Sequence, residues 1–189
     1  MAFLLGVNLI RLNSLADRIL TSFKARDQRK LRKLNDEVLK VSYLEFNRVT
    51  FNLGTISYVL SKIVSKPRFL NPEFSSSLKT IEKIMEKLVN RIDQAQEEEL
   101  LRIFSELENA IAHLEEKDPR FVVDLLTKGR LKMAATFYAQ GLSLGVAADM
   151  TGLDKQEILD YAGETFMFDK TKDGITINER MKTARKLIG

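Results

Sequence analysis

Through most of this chain apolar residues recur three and four apart, with charged residues filling the gaps, which is the pattern of helices buried along one face. The first stripe, Leu9, Leu12, Leu15, Ala16, Ile19, Leu20 and Phe23, predicts a helix over 5–23. A second pattern runs through Leu34, Val38, Val41, Leu44 and Phe46 and resumes at Ile56, Val59, Leu60 and Ile63, with Asn52-Leu53-Gly54 as an interruption or kink. It stops at Ser65-Lys66-Pro67, because a proline disfavours helical backbone in the residue before it. Asn71-Pro72-Glu73 predicts the next start: a capping side chain, a proline in the first turn, and an acid at the positive end of the helix dipole. Leu78, Ile81, Ile84, Met85, Leu88 and Ile92 lie along that helix. After a break near Asp93-Gln94, Glu97-Glu98-Glu99 opens a helix striped with Leu100, Leu101, Ile103, Phe104, Leu107, Ile111 and Leu114. Asp118-Pro119 predicts one more, through Phe121, Val122, Leu125 and Leu126 to Gly129. The bundle pattern ends there, so a boundary is expected near 118: a helical bundle over 1–118 and a second domain over 119–189, with the helix at 119–128 as a bridge.

The stretch 130–163 reads as three short helices joined by two tight breaks. The central one runs Leu144 to Met150 and carries Ala147 and Ala148; Thr151-Gly152-Leu153 follows, and Asp154 opens a third with Ile158 and Tyr161 on one face. That is the spacing of a helix-turn-helix. Two steeply crossing helices need a small residue at the contact, supplied by Ala148, and the turn needs a positive φ, supplied by Gly152. Beyond Gly163, Thr165-Phe166-Met167-Phe168 and Ile175-Thr176-Ile177 are short β-type runs that fit a hairpin or an extended connector. Asn178 then caps a closing helix, Glu179 to Ile188. The expected fold is all-α: an N-terminal bundle of long antiparallel helices plus a C-terminal helix-turn-helix unit, with or without a short β-hairpin.

Composition narrows the chemistry. No cysteine excludes disulfides and thiol catalysis, and a single histidine, His113, argues against a His-based triad or metal site. Gly-rich phosphate loops, nucleophile elbows and Asp-x-Asp metal loops are missing, so a non-enzymatic protein without cofactor or metal is expected. The apolar start, Met1 to Ile10, lacks a basic leading segment and is too short to span a bilayer; it is expected to pack on the core, with no membrane partner and a cytoplasmic location. The weight of Lys, Glu and Ile fits a protein from a hot habitat.

The net charge of +4 is unevenly spread: residues 1–70 hold 13 Lys or Arg against 5 acids, residues 71–118 hold 6 against 12, and the rest 11 against 9. Opposed blocks point first to helices attracting one another within a bundle. The run Lys24, Arg26, Arg29, Lys30, Arg32 and Lys33 also offers an attraction to phosphate, with a solvated helix face beside the acidic helices as the alternative. It has no interleaved aromatics, which argues against a single-strand platform. If the helix-turn-helix reads double-stranded DNA, its third helix enters the major groove, and Lys155 and Gln156 can meet base edges while Glu157 and Asp160 repel phosphates. Candidate DNA-binding residues are therefore Lys155 and Gln156 with Arg29 and Lys30, and a homodimer is compatible with them.

Phe137-Tyr138, Gly141, Ser143-Leu144-Gly145, Ala147-Ala148 and Gly152-Leu153 resemble the small helix-turn-helix antitoxins of archaea and bacteria. In that family a Leu-Tyr pair, here Phe137-Tyr138, precedes a Gly, then Ser-Leu-Gly-x-Ala-Ala, then Gly-Leu before the next helix. The resemblance covers the C-terminal part alone. The closing Glu179–Ile188 is similar to the basic tails by which such antitoxins hold PIN-domain ribonucleases, which implies Arg180 and Arg185 as partner-binding residues. The expectation is a non-enzymatic helix-turn-helix protein, a DNA-binding regulator or an antitoxin-like partner of a ribonuclease. The alternative is a helical interaction or scaffold protein whose helix-turn-helix is structural.

Overall fold

The apolar stripes fold as helices, and the protein is all-α. The computed structural model describes residues 2–44, 46–118 and 124–165, with side chains from Leu12 onward. Among the described residues there are eight α-helices, two 3-10 turns and no strand. The helices are α1 (Ala2–Lys24), α2 (Gln28–Leu44), α3 (Arg48–Val64), α4 (Ser75–Arg91), α5 (Glu97–Glu116), α6 (Leu125–Ala139), α7 (Leu144–Thr151) and α8 (Lys155–Glu164). None is long and apolar enough to cross a membrane. The β-type runs after Thr165, the closing helix and residues 119–123 lie outside the described residues.

Two compact units divide the chain, 1–133 and 134–189. The first is a helical bundle in which α2 packs on α3, α4 on α5, and α1 touches α2, α3 and α4. Its centre holds Ile19, Phe23, Leu34, Ile56, Leu60 and Phe104, all essentially inaccessible to solvent. The division falls inside α6, not at the end of the bundle pattern near 118, and packing explains why. A Cβ on Gly129 would stand 3.1 Å from Thr55 Cγ2 and 3.2 Å from the Thr55 carbonyl oxygen, so α6 approaches α3 closely at this point. One turn later Met133 lies over Gly54. The first part of α6 thus belongs to the bundle, and Gly129 sits within the helix where the sequence pattern had it as a terminus.

Three other boundaries differ from expectation. The helix expected to open at Asp118-Pro119 starts at Leu125, where the Asp124 carboxylate accepts the Leu126 N–H at 2.8 Å. The break in the second pattern lies just before Arg48, not at Asn52-Leu53-Gly54. Asn47 is extended, its side chain accepts the Thr50 N–H at 2.8 Å, and the Thr50 hydroxyl accepts the Asn47 N–H at 3.2 Å. This reciprocal capping box starts α3 and leaves Gly54 inside it. There the buried Asn35 amide of α2 donates to the Gly54 carbonyl at 2.9 Å and to the Ser57 hydroxyl at 2.8 Å, fixing the register of the two helices. At Asn71-Pro72-Glu73 the chain first makes a 3-10 turn over Pro72–Phe74, and the Asn71 side chain caps nothing. The turn delivers the Phe74 ring edge-on to buried Phe69, centroids 5.5 Å apart, before α4 begins at Ser75.

The junction between α5 and α6 buries charge. Arg68 Nε lies 2.6 Å from Asp118 Oδ2, and the Asp118 side chain is 1% exposed. Buried Glu115, at the end of α5, accepts the Leu125 N–H at 3.0 Å and so caps the first turn of α6. Burial pushes its carboxyl up to about 7, opposed by the Leu125 hydrogen bond and by Lys66, while the Asp124 carboxylate adds to the rise. Between the usual carboxylate value and about 7 the folded chain therefore holds a proton that the unfolded chain has lost, and stability contributed here falls as pH rises through that window. Glu115→Gln is expected to flatten this fall. Urea midpoints measured on either side of the window check it, and equal pH dependence in parent and variant would refute the assignment.

Candidate helix-turn-helix interface

Local chemistry builds the second unit from its turns outward. Helix α6 ends at Ala139 in a paired cap: the Gly141 N–H donates to the Tyr138 carbonyl at 3.1 Å and the Leu142 N–H to the Phe137 carbonyl at 3.2 Å. This Schellman arrangement requires positive φ at its glycine, and Gly141 has φ +112°. Ser143 then caps α7, its hydroxyl accepting the Val146 N–H at 3.2 Å. At the other end of α7, Gly152 takes the left-handed conformation at φ 69° and donates to the Ala148 carbonyl at 2.8 Å. Asp154 opens α8 by accepting the N–H groups of Gln156 at 2.7 Å and Glu157 at 3.3 Å. Each device spends only a few residues, and together they fix a helix, a tight turn and a helix.

The inner faces follow the expected spacing. Ala147 and Ala148 of α7 and Ile158 of α8 are buried, and Ala162, one turn after Ile158, joins them. Tyr161, expected on the same face, is half-buried. Lys155 and Gln156 share the first turn of α8 and are both exposed. The Lys155 side chain reaches toward Gly145 of α7, its Nζ 3.9 Å from where a Cβ would be. The Gln156 amide is engaged, donating to Asp160 Oδ1 at 2.7 Å one turn on. Glu157, Leu159 and Asp160 complete the outward surface, and Val146 adds a second exposed apolar side chain from α7.

Charge is the decisive property of this surface. From Ala134 to Thr165 the chain carries one cation, Lys155, against Asp149, Asp154, Glu157, Asp160 and Glu164. An anionic helix-turn-helix repels the phosphate backbone that a DNA reader must approach. Of the other expected site residues, Arg29 and Lys30 stand side by side and exposed on the first turn of α2, in the bundle unit. Arg180 and Arg185 lie outside the described residues. His113 is a surface side chain, its Nδ1 3.6 Å from the Glu116 carboxylate in the next turn of α5. Among the described residues no three His, Asp or Glu side chains are placed to hold a metal ion. Glu115, not among the expected site residues, falls on the α5 apolar stripe four residues after Ile111, the one signal in the sequence that a carboxylate is carried into the core. No protein-family model matches the chain, and no solved structure matches it.

Two glycines of this unit should respond oppositely to the same substitution. A Cβ on Gly152 meets no neighbour within 4 Å, so the cost of Gly152→Ala is purely the left-handed backbone, about 1 kcal/mol or more of the unit's stability. Gly163 of α8 also has open space around it but no positive φ, so Gly163→Ala should gain up to about 1 kcal/mol of helix propensity. Thermal unfolding of the two variants compares them, and a raised midpoint for Gly152→Ala would move the turn elsewhere.

Proposed function

We propose that this chain is a non-enzymatic regulator of the antitoxin type, whose helix-turn-helix unit docks on a basic protein partner in place of reading DNA bases. The observation that carries this reading is the exposed face of α8, where Glu157, Asp160 and Glu164 outnumber Lys155 and Leu159 stands among the acids, 39% exposed. Carboxylates around an exposed apolar residue suit a protein surface with complementary charge and an apolar centre. The resemblance to helix-turn-helix antitoxins gives the partner a class, a PIN-domain ribonuclease, with Arg180 and Arg185 of the tail entering its acidic site. Arginine suits that task because its permanent charge pairs with a carboxylate through two parallel hydrogen bonds.

A second reading, base recognition by Lys155 and Gln156, is favoured by their exposure at the start of α8, where a recognition helix presents its readers. Charge reversal separates the two, because it acts in opposite directions. Mixed with a PIN-domain ribonuclease, the full chain should suppress RNA cleavage. Glu157→Lys/Asp160→Lys should weaken that suppression by about tenfold or more. For a base reader the same pair removes repulsion from phosphates and raises DNA affinity, while Lys155→Ala and Gln156→Ala lower it by ~1–3 kcal/mol each. Absence of suppression by the parent, or DNA affinity that follows the second pattern, reverses the assignment.

A further inference from the structure

The six cations between Lys24 and Lys33 part into two groups. Lys24 and Arg26 turn toward the acidic helix α4 and pair with Glu86 at 2.6 Å and Glu82 at 2.8 Å. Arg29, Lys30, Arg32 and Lys33 point outward from α2, all exposed, with no side-chain hydrogen bond or ion pair among the described residues. Lys40, two turns beyond Lys33, is exposed in the same way. The acids that would neutralise this face are largely committed elsewhere. Asp27 Oδ1 caps α2 by accepting the Lys30 N–H at 2.9 Å, and Glu37 is held by Arg18 through two hydrogen bonds of 2.8 and 3.0 Å. Asp36 alone stays exposed between Lys33 and Lys40 without a described partner.

We propose that the outward face of α2 binds the phosphate backbone of double-stranded nucleic acid, irrespective of its sequence. Arg29 to Lys40 covers eleven steps of helix, roughly 16 Å, a length over which a duplex presents several phosphates. The guanidinium groups of Arg29 and Arg32 are suited to grip phosphate oxygens in pairs. A single-strand platform needs exposed aromatic rings, and the outward positions from Arg29 to Lys40 carry none. A membrane surface needs apolar side chains to enter the lipid; Leu31, Leu34, Val38 and Leu39 are buried in the bundle, leaving Leu44 by itself at the end of the helix. The site lies in the bundle unit and needs nothing of α8, so it goes beyond the function proposed above.

The test is fluorescence polarisation of the full chain with a labelled duplex of arbitrary sequence, between about 50 and 200 mM salt. The parent should bind with a log–log salt slope of up to about −4.5, for five cations engaged. Arg29→Gln/Lys30→Gln/Arg32→Gln/Lys33→Gln should bind at least about tenfold more weakly at low salt, with the slope reduced by about 3 to 4. Circular dichroism establishes that the variant is folded, and the charge-keeping Arg29→Lys/Arg32→Lys should retain binding. Lys79→Gln/Lys83→Gln, on the exposed side of α4, should leave it unchanged. Duplex binding that depends on α2 and survives Lys155→Ala/Gln156→Ala supports the proposal whatever becomes of the protein partner of α8. No duplex binding by the parent at low salt, equal binding by the quadruple variant, an equal loss in the α4 control, or α2-dependent binding to phosphatidylserine vesicles in place of duplex overturns it.

Discussion

The close approach of α6 to α3 is the contact on which the rest of the architecture depends. At Gly129 the two helices come near enough that a methyl group would press on the Thr55 backbone, and Met133 covers Gly54 a turn later. Both contacts are bought with glycine in helix interiors, a choice that costs roughly 1 kcal/mol each in propensity against alanine. The gain is apolar burial along the first part of α6, where Leu125, Leu126 and Met133 are withdrawn from solvent. Helix α6 runs on to Ala139, past Met133, the last residue of the bundle unit. A hydropathy pattern cannot register this. It sees two glycine-free stripes separated by Gly129 and reads an end where packing requires a continuation.

The junction beneath that helix adds a constraint of another kind. Asp118 is withdrawn from solvent beside Arg68, and Glu115 spends its carboxyl on the Leu125 N–H. Buried pairs seldom add much net stability over apolar packing, but removing one partner leaves a charge stranded. The Arg68–Asp118 pair therefore penalises separation of the 3-10 turn over Pro67–Leu70 from the end of α5, while the Glu115 cap is what holds the start of α6 to α5. By contrast, the pairs Lys24–Glu86, Lys87–Glu106 and Arg91–Glu99 lie at the surface, where screening and side-chain entropy leave each worth little. Attraction between the basic and acidic blocks of the sequence is real in the fold, as the pairs Lys24–Glu86, Arg26–Glu82 and Arg68–Asp118 show.

What could be read in the sequence was what short-range chemistry decides. The positive φ of Gly152, the cap at Asp154 and the burial of Ala148 and Ile158 each depend on residues a few positions apart, and all appeared as expected. The helices over α1, α4 and α5 were legible because their apolar stripes are long. The misplaced features depend on partners distant in sequence: Gly54 stays helical because α2 and α6 close over it, and Asn71 loses its capping role because Phe74 is drawn onto Phe69. The basic run was legible as a run but not in its division, since only the position of α4 decides that Lys24 and Arg26 are consumed while Arg29 to Lys33 are left outward.

The same distinction separates the helix-turn-helix as a shape from the helix-turn-helix as a reader of DNA. Its geometry is set by Gly141, Ser143, Gly152 and Asp154 together with small buried residues, and none of these faces outward along α8. The outward positions, Lys155, Gln156, Glu157, Leu159 and Asp160, are free to vary without disturbing a single cap, since Asp154 meets two of them only at their backbone N–H groups. A motif can therefore be intact while its exposed charge has the wrong sign for phosphate, as here. Fold and site are independent choices, and in this chain the cationic surface stands on α2 of the bundle while the motif that usually carries it is anionic. Function has to be argued from those two surfaces separately, each by the charge and shape it offers to solvent.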